Sequence, residues 1–328
     1  MKILVTGGSG FIGHKVIQAL SPTRCNLVSI DTHSPREPIP NVDYRQASIL
    51  DEDALANAID GSDVVLHFAA NPRLWAPRES DFVTVNVDGT DKVIRASIDA
   101  KVRRLIHCST EAILIPPIDP ESAWTEDTLP CLAYADMRGG YLRSKFKAEQ
   151  LVRSAQSETL DTIIVNPTMP IGPGDFNLTP PAQMLLGFAR REIPAYFNST
   201  FNIIDVRDAA EAIAACVDRG RPGERYVIGG LNIELGQMLA LLEQVTGIKT
   251  PKRQIPYAMA WLTAVVTEGL ALLTQTPPIA PMAGVRLARR KLAFDCRKAQ
   301  AELGLRTRPL EKTLEETIHW FRLSGYLT

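Results

Sequence analysis

The chain is short of the features that mark a secreted, metal-held or nucleic-acid-binding protein. Five cysteines stand at 25, 108, 131, 216 and 296 and never at CxxC spacing, so neither a disulfide framework nor a zinc ribbon is written into it. An odd, dispersed set in a chain of this length reads as reduced, buried thiols and predicts a reducing compartment. The five histidines are scattered too, and no metal is expected. Neither sign of charge dominates. Lys and Arg number 36 against 37 Asp and Glu, which argues against a chain-wide basic surface for nucleic acid. The N-terminal apolar run is broken by glycines after Thr6, unlike a signal peptide. The best membrane candidate, Tyr257–Leu273, contains Glu268 and Gly269 and falls short of the roughly 20 apolar residues that cross a bilayer. A cytoplasmic protein without a transmembrane segment is expected.

What remains is ample for a large core: 328 residues, 45% of them apolar and 22% charged, enough for one large or two joined domains. Short apolar, β-branched runs at Ile3–Thr6, Asn26–Ile30, Val64–Phe68, Arg104–His107 and Thr162–Asn166 read as buried parallel strands. Helical stretches lie between them at Phe11–Leu20, Asp51–Ile59, Phe82–Ala100 and Met137–Ser157. The alternation predicts an α/β fold with a doubly wound parallel sheet. After Asn166, five prolines and two glycines interrupt the rhythm within about fifteen residues. The expected division is therefore residues 1–170 for the sheet domain, with 201–219 returning to it, and residues 171–200 and 220–328 for a smaller, mostly C-terminal α/β part that binds substrate. A final amphipathic helix is expected at Leu310–Leu323.

The first strand runs into Gly7-Gly8-Ser9-Gly10-Phe11-Ile12-Gly13 and then directly into a helix. Gly7, Gly10 and Gly13 form G-x-x-G-x-x-G, which permits the tight turn and close backbone approach that bring helix-terminal N–H groups to a pyrophosphate. The spacing is not that of a phosphate-loop NTPase, and Ser9 is not in a nucleophile elbow. Asp31 ends the second strand, where a carboxylate accepts hydrogen bonds from ribose hydroxyls and repels a 2′-phosphate, favouring NAD; Arg36 nearby leaves NADP open. Ser48 and Ile49, after the third strand, are expected beside the adenine.

Tyr141 and Lys145 lie four apart on a helix and share a face. A phenol with pKa near 10 is a poor base, but a neighbouring ammonium and a cationic nicotinamide favour phenolate. Tyr141 can then exchange a proton with an alcohol as hydride leaves or reaches its carbon. Thr110 ends the strand that starts at Arg104, on the carboxyl edge of the sheet where ligands bind. Its hydroxyl could hold the substrate oxygen.

These residues together resemble the extended short-chain dehydrogenase/reductase family of NAD-dependent epimerases and dehydratases. The resemblance implies a Rossmann sheet and NAD, with Thr110, Tyr141 and Lys145 catalytic. It also implies cofactor contacts from Phe11, Ile12, Phe68, Ala69, Ala70, Ser109, Pro167 and Thr168, and from Asn86, which supports the active site. Strings at Pro72–Pro77, Val165–Thr168 with Gly172–Asp175, Pro194–Tyr196 and Val285–Lys291 resemble the hopanoid-associated sugar epimerases, beside a dihydroflavonol-reductase-like branch. Trp75, Glu111, Asn166, Tyr196 and Arg286 are the expected substrate-side residues. The substrate is a small molecule, either a nucleotide sugar clamped by Arg286 or an apolar ketone or alcohol. Hydride returned to the opposite face of the same carbon, or to a substrate that has turned within the site, gives epimerisation; a single transfer gives net reduction or oxidation. A dehydratase using Glu111, or a silent dinucleotide-binding sensor, are the alternatives. The family implies a homodimer.

Overall fold

The computed structural model describes residues 1–23, 25–114, 123–126, 134, 137, 139–278, 281–290 and 292–327. Cys131 and Lys291, singled out above, lie outside them. The chain begins β1 (Lys2–Thr6), α1 (Phe11–Leu20), β2 (Asn26–Asp31), β3 (Val42–Gln46), α2 (Glu52–Ile59) and β4 (Val64–His67). A single turn, α3 (Ser80–Phe82), passes through a π-helical stretch at Val83–Asp88 into α4 (Gly89–Asp99). β5 (Arg104–Cys108), α5 (Gly140–Ser154), β6 (Asp161–Pro167), β7 (Met169–Ile171) and α6 (Pro180–Ala189) follow. Next come β8 (Thr200–Asp205), α7 (Val206–Arg219), β9 (Arg225–Ile228) and β10 (Leu231–Glu234). The rest is helical: α8 (Leu235–Thr246), α9 (Tyr257–Thr274), α10 (Met282–Ala288), α11 (Arg297–Leu303) and α12 (Leu310–Leu323).

Seven strands form one parallel sheet in the order β3-β2-β1-β4-β5-β6-β9. Its central strands are apolar on both faces, and Ile3, Leu4 and Val5 are fully buried, because helices cover both sides. One face packs against α1, α7 and α11, and the other against α2, α4 and α5. The order reverses between β1 and β4. A crevice opens at such a point beyond the strands' carboxyl ends, and it is there that the glycine turn, Thr110 and the β4 end meet.

Two departures from the sequence expectation concern the smaller part. β9, expected within 220–328, is the seventh strand of the main sheet, paired with β6. Four residues after a Pro-Gly turn are too short to show a period. β8, expected to return to the main sheet with α7, instead joins β7 in parallel and β10 antiparallel in a separate three-stranded sheet. Asn202 fixes that choice: its amide donates to the Gly230 carbonyl at 3.3 Å and to Asn232 Oδ1 at 2.6 Å. Helices α6, α8 and α12 close a second core over this sheet. Among the described residues, no helix is long and apolar enough to cross a membrane, and no cluster of His, Cys, Asp and Glu could hold a metal ion.

Candidate active site

The glycine turn is tight for reasons that only backbone can satisfy. Gly7 has φ +71°, and a Cβ there would lie 2.5 Å from the Ala69 nitrogen. A Cβ on Gly13 would lie 2.3 Å from the Gly7 carbonyl oxygen. The turn therefore packs directly on the end of β4 and on the first turn of α1, an approach no side chain allows. α1 starts at Gly10 without a side-chain cap and without an acid in its first turn, so the N–H groups there stay available to an anion. Asp31 reaches back to this turn: its Oδ2 accepts from the Ser9 N–H at 3.0 Å and its Oδ1 from the His33 N–H at 3.1 Å. A bare cradle at a helix N-terminus, with a carboxylate beside it, fits the diphosphate and ribose of a dinucleotide. Arg36, which kept a 2′-phosphate open, rests its guanidinium 5.1 Å from the centre of the Phe176 ring.

The three expected catalytic residues converge. Thr110 follows β5, and its hydroxyl donates to Glu111 Oε2 at 3.0 Å and accepts from the Ala112 N–H at 3.2 Å. It also lies close enough to the Tyr141 phenol to act on it. Lys145, one turn along α5 from Tyr141, is buried and donates from Nζ to the Cys108 carbonyl at 2.7 Å. Burial lowers its pKa, opposed by Cys108 and Glu149. The same burial raises the Glu111 carboxyl to about 7.

Lys145 and a cationic nicotinamide were together expected to favour the phenolate of Tyr141; the protein's own groups push that phenol above its ordinary value. Burial is the main cause and the Glu111 charge adds to it, while only the Thr110 hydroxyl pulls the other way. Lys145 gives its Nζ to a carbonyl, and the largest charge acting on the partly buried phenol, Glu111, is negative.

Behind these groups runs a buried scaffold. Asn86, on the π-helical stretch, accepts from the Asn71 N–H at 2.7 Å and donates to the Ser144 hydroxyl at 2.9 Å, so it steadies the residue before Lys145. His67 joins the Thr6 hydroxyl (2.7 Å) to the Thr90 hydroxyl (3.0 Å), and Thr90 donates to the Asn86 carbonyl at 2.7 Å. Asn166 was expected to meet substrate. The structure buries it fully, and its amide donates to the Thr110 carbonyl and to Glu149 Oε2, both at 3.0 Å. Glu149 is also paired with Arg225 of β9. Asn166 is thus a strut between β5, β6 and α5. Glu149, four residues beyond Lys145 on the same helical face, could have been found from that spacing.

The remaining expected residues divide. Phe11 is buried, and Ile12, Phe68, Ala69 and Ala70 are partly buried around the glycine turn. Ser109 donates its N–H to the Val165 carbonyl at 2.8 Å, and its buried hydroxyl has no partner. Pro167 ends β6, and Thr168 donates its N–H to the Ile228 carbonyl at 3.0 Å. Ser48 serves its own turn, accepting from the Leu50 N–H at 3.1 Å, and Ile49 packs under Gly89. Trp75 is half-buried. Tyr196 and Arg286 spend their contacts elsewhere. Tyr196 bonds the 253–255 segment and accepts from Gln254 at its phenol oxygen (3.2 Å), while exposed Arg286 on α10 acts on Glu268.

A model of the NAD dependent epimerase/dehydratase family matches residues 3–229. The chain belongs to that family. The match covers the whole parallel sheet and every residue of the Thr110–Tyr141–Lys145 cluster. Family members of similar length extend the likeness to the full chain. A candidate dihydroflavonol 4-reductase of Synechocystis sp. is 32% identical over 98% of this chain and 95% of its own. A 4-hydroxy-2-methyl-3-oxo-4-farnesyl-3,4-dihydroquinoline-1-oxide ketoreductase of Stigmatella aurantiaca is 30% identical over 93% and 91%. Among solved structures, the crystal structure of gox2253 superposes with a TM-score of 0.85 at 34% identity, over 99% of both chains. The NAD-dependent oxidoreductase and epimerase chemistry expected from the sequence is this family's chemistry.

Proposed function

We propose that the chain is an NAD-dependent ketone reductase in which Tyr141 donates the proton. The observation that carries this reading is the likeness, over nearly the full chain, to two relatives of similar length at 32% and 30% identity. Thr110, Tyr141 and Lys145 beside the glycine turn supply the groups a ketone reduction needs, and a phenol carries the proton it would donate. The two relatives above are, by their names, a dihydroflavonol reductase and a ketoreductase.

The residues divide the work as follows. Gly7, Gly10, Gly13 and Asp31 hold the cofactor, and Lys145 steadies its ribose. Reduced NAD held there would supply the hydride for a substrate carbonyl carbon and would leave as NAD⁺. The Tyr141 O–H would pass its proton to the carbonyl oxygen as charge develops there, giving an alcohol. Thr110 holds the same oxygen by its hydroxyl. Glu111 accepts from the Thr110 hydroxyl at 3.0 Å and, with a pKa of about 7, can exchange a proton near neutral pH beside the reacting oxygen.

The test is an assay of the purified protein with NADH and a panel of apolar cyclic ketones, followed by product analysis and dialysis. Expected are one alcohol formed per NADH consumed and cofactor that exchanges freely. Tightly retained NAD with interconversion of nucleotide-sugar epimers and no net cofactor change would instead establish the epimerase. The assembly proposed is a homodimer formed through α4 and α5, checked by sedimentation at micromolar concentration.

A further inference from the structure

α9 is an 18-residue helix that uses little of its surface. A stripe of small residues, Ala260, Ala264 and Ala271, is buried, and α10 packs against this helix. The opposite side carries Trp261, Leu262, Val265, Val266, Leu270 and Leu273, all exposed, with Leu273 at 83%. At about 100° per residue these span roughly half the helix circumference. Among the described residues, seven of the twelve most exposed large apolar side chains lie on this one helix. Elsewhere such residues stand singly, which needs no explanation; a contiguous apolar face does.

Charge around the face is one-sided. From Gln254 to Val285, a run of 32 residues, Glu268 is the only charged side chain. It is partly buried and acts on Arg286 of α10. Cations gather at the helix's N-terminal end. Lys249, Lys252 and Arg253 precede it, and Arg289 lays its guanidinium 4.8 Å from the centre of the Tyr257 ring. Exposed Lys252 is paired with the half-buried Glu243 at 2.6 Å. Over residues 243–290 there are six cations and two acids, in a chain whose formal net charge is −1.

We propose that this face docks on an anionic phospholipid bilayer, with α9 lying in the plane of the interface. The apolar half supplies the buried surface, Tyr257 and Trp261 sit at headgroup depth, and the cations meet lipid phosphates. A second copy of the chain suits the face less well. Its α9 offers no acid to these cations, because Glu268 is engaged with α10 and the C-terminal half beyond it is uncharged. α10 links the face to the candidate site: Ala283 lies where a side chain on Gly139 would touch it, two residues before Tyr141. The start of the Tyr141 helix thus lies behind α10, one helix layer from the docked face. The inference stands independently of the reductase reading.

The experiment is co-sedimentation of the full chain with phosphatidylcholine vesicles, with and without phosphatidylglycerol, at low and high salt. Binding to the anionic vesicles is expected, at least about tenfold tighter than to neutral ones and weakened by salt. The triple variant L262Q/V266Q/L273Q and the double variant R253E/R289E should each lose about tenfold or more. All the altered side chains are exposed, so unchanged melting temperatures certify the fold. A blue shift of Trp261 fluorescence on vesicle addition, absent in W261F, locates the contact. Failure of the wild type to bind, or equal binding by the triple variant, overturns the proposal. So does a dimer that the triple variant dissociates without any vesicle binding, which would make the face a self-interface.

Discussion

The hydroxyl of Thr110 donates to Glu111 Oε2 at 3.0 Å, so a residue just beyond β5 is tied to a carboxyl raised to about 7. With the Tyr141 phenol close by, these groups lie on the carboxyl edge of a parallel sheet, beside a glycine turn that fits a diphosphate, and give the site its chemical character.

Tyr141→Phe removes the terminal proton donor while keeping the ring. Turnover should fall by about 10²–10⁴-fold, with NADH affinity, read by fluorescence titration, within about twofold of wild type. Unchanged turnover would take Tyr141 out of the mechanism.

Glu111 has a folded pKa of about 7 against an ordinary 4.5. The native state therefore binds the extra proton between these values, and stability falls as pH rises through that window. Replacing it by Gln should flatten this fall, by on the order of 1–3 kcal/mol across the window. If Glu111 also feeds the phenol, the variant's kcat should lose its titration near pH 7. A melting-temperature profile from pH 4 to 8 indistinguishable from wild type would refute the buried carboxyl.

Asp31 should decide cofactor choice. Asp31→Ala is expected to weaken NADH by about tenfold or more, with NADPH weakened less or improved. A clear NADPH preference in the unaltered protein would overturn its assigned role.

Asn166→Leu tests the strut. It leaves the Thr110 carbonyl without its donor and Glu149 with Arg225 alone, and should cost about 1–3 kcal/mol in denaturant titration. Because the residue only positions Thr110, kcat should drop while KM for NADH stays level; a rise in substrate KM alone would make it a substrate contact after all.

Much of this was legible in one dimension. β1 and α1, with the turn between them, could be read because glycine spacing, β-branched runs and helical periodicity are local signals. Tyr141 and Lys145 could be paired because four residues make one turn. β9 could not be assigned to its sheet, since four residues carry no period. Nor could β8 be kept from the main sheet, because the Asn202 bonds that hold it come from residues about 30 positions away.

The sequence by itself determined the alternation that forces a parallel sheet, the backbone-only turn at Gly7, and an apolar stretch at 257–273 too short to cross a bilayer. Only the tertiary structure decided the electrostatics: that Lys145 turns to the Cys108 carbonyl, that Asn166 is an internal strut, and that Tyr141 is desolvated beside Glu111 with its pKa driven up. Propensity and spacing act between neighbours in the chain. Desolvation and Coulomb interactions act between neighbours in space, and these exist only once the sheet has brought β5, β6 and α5 together.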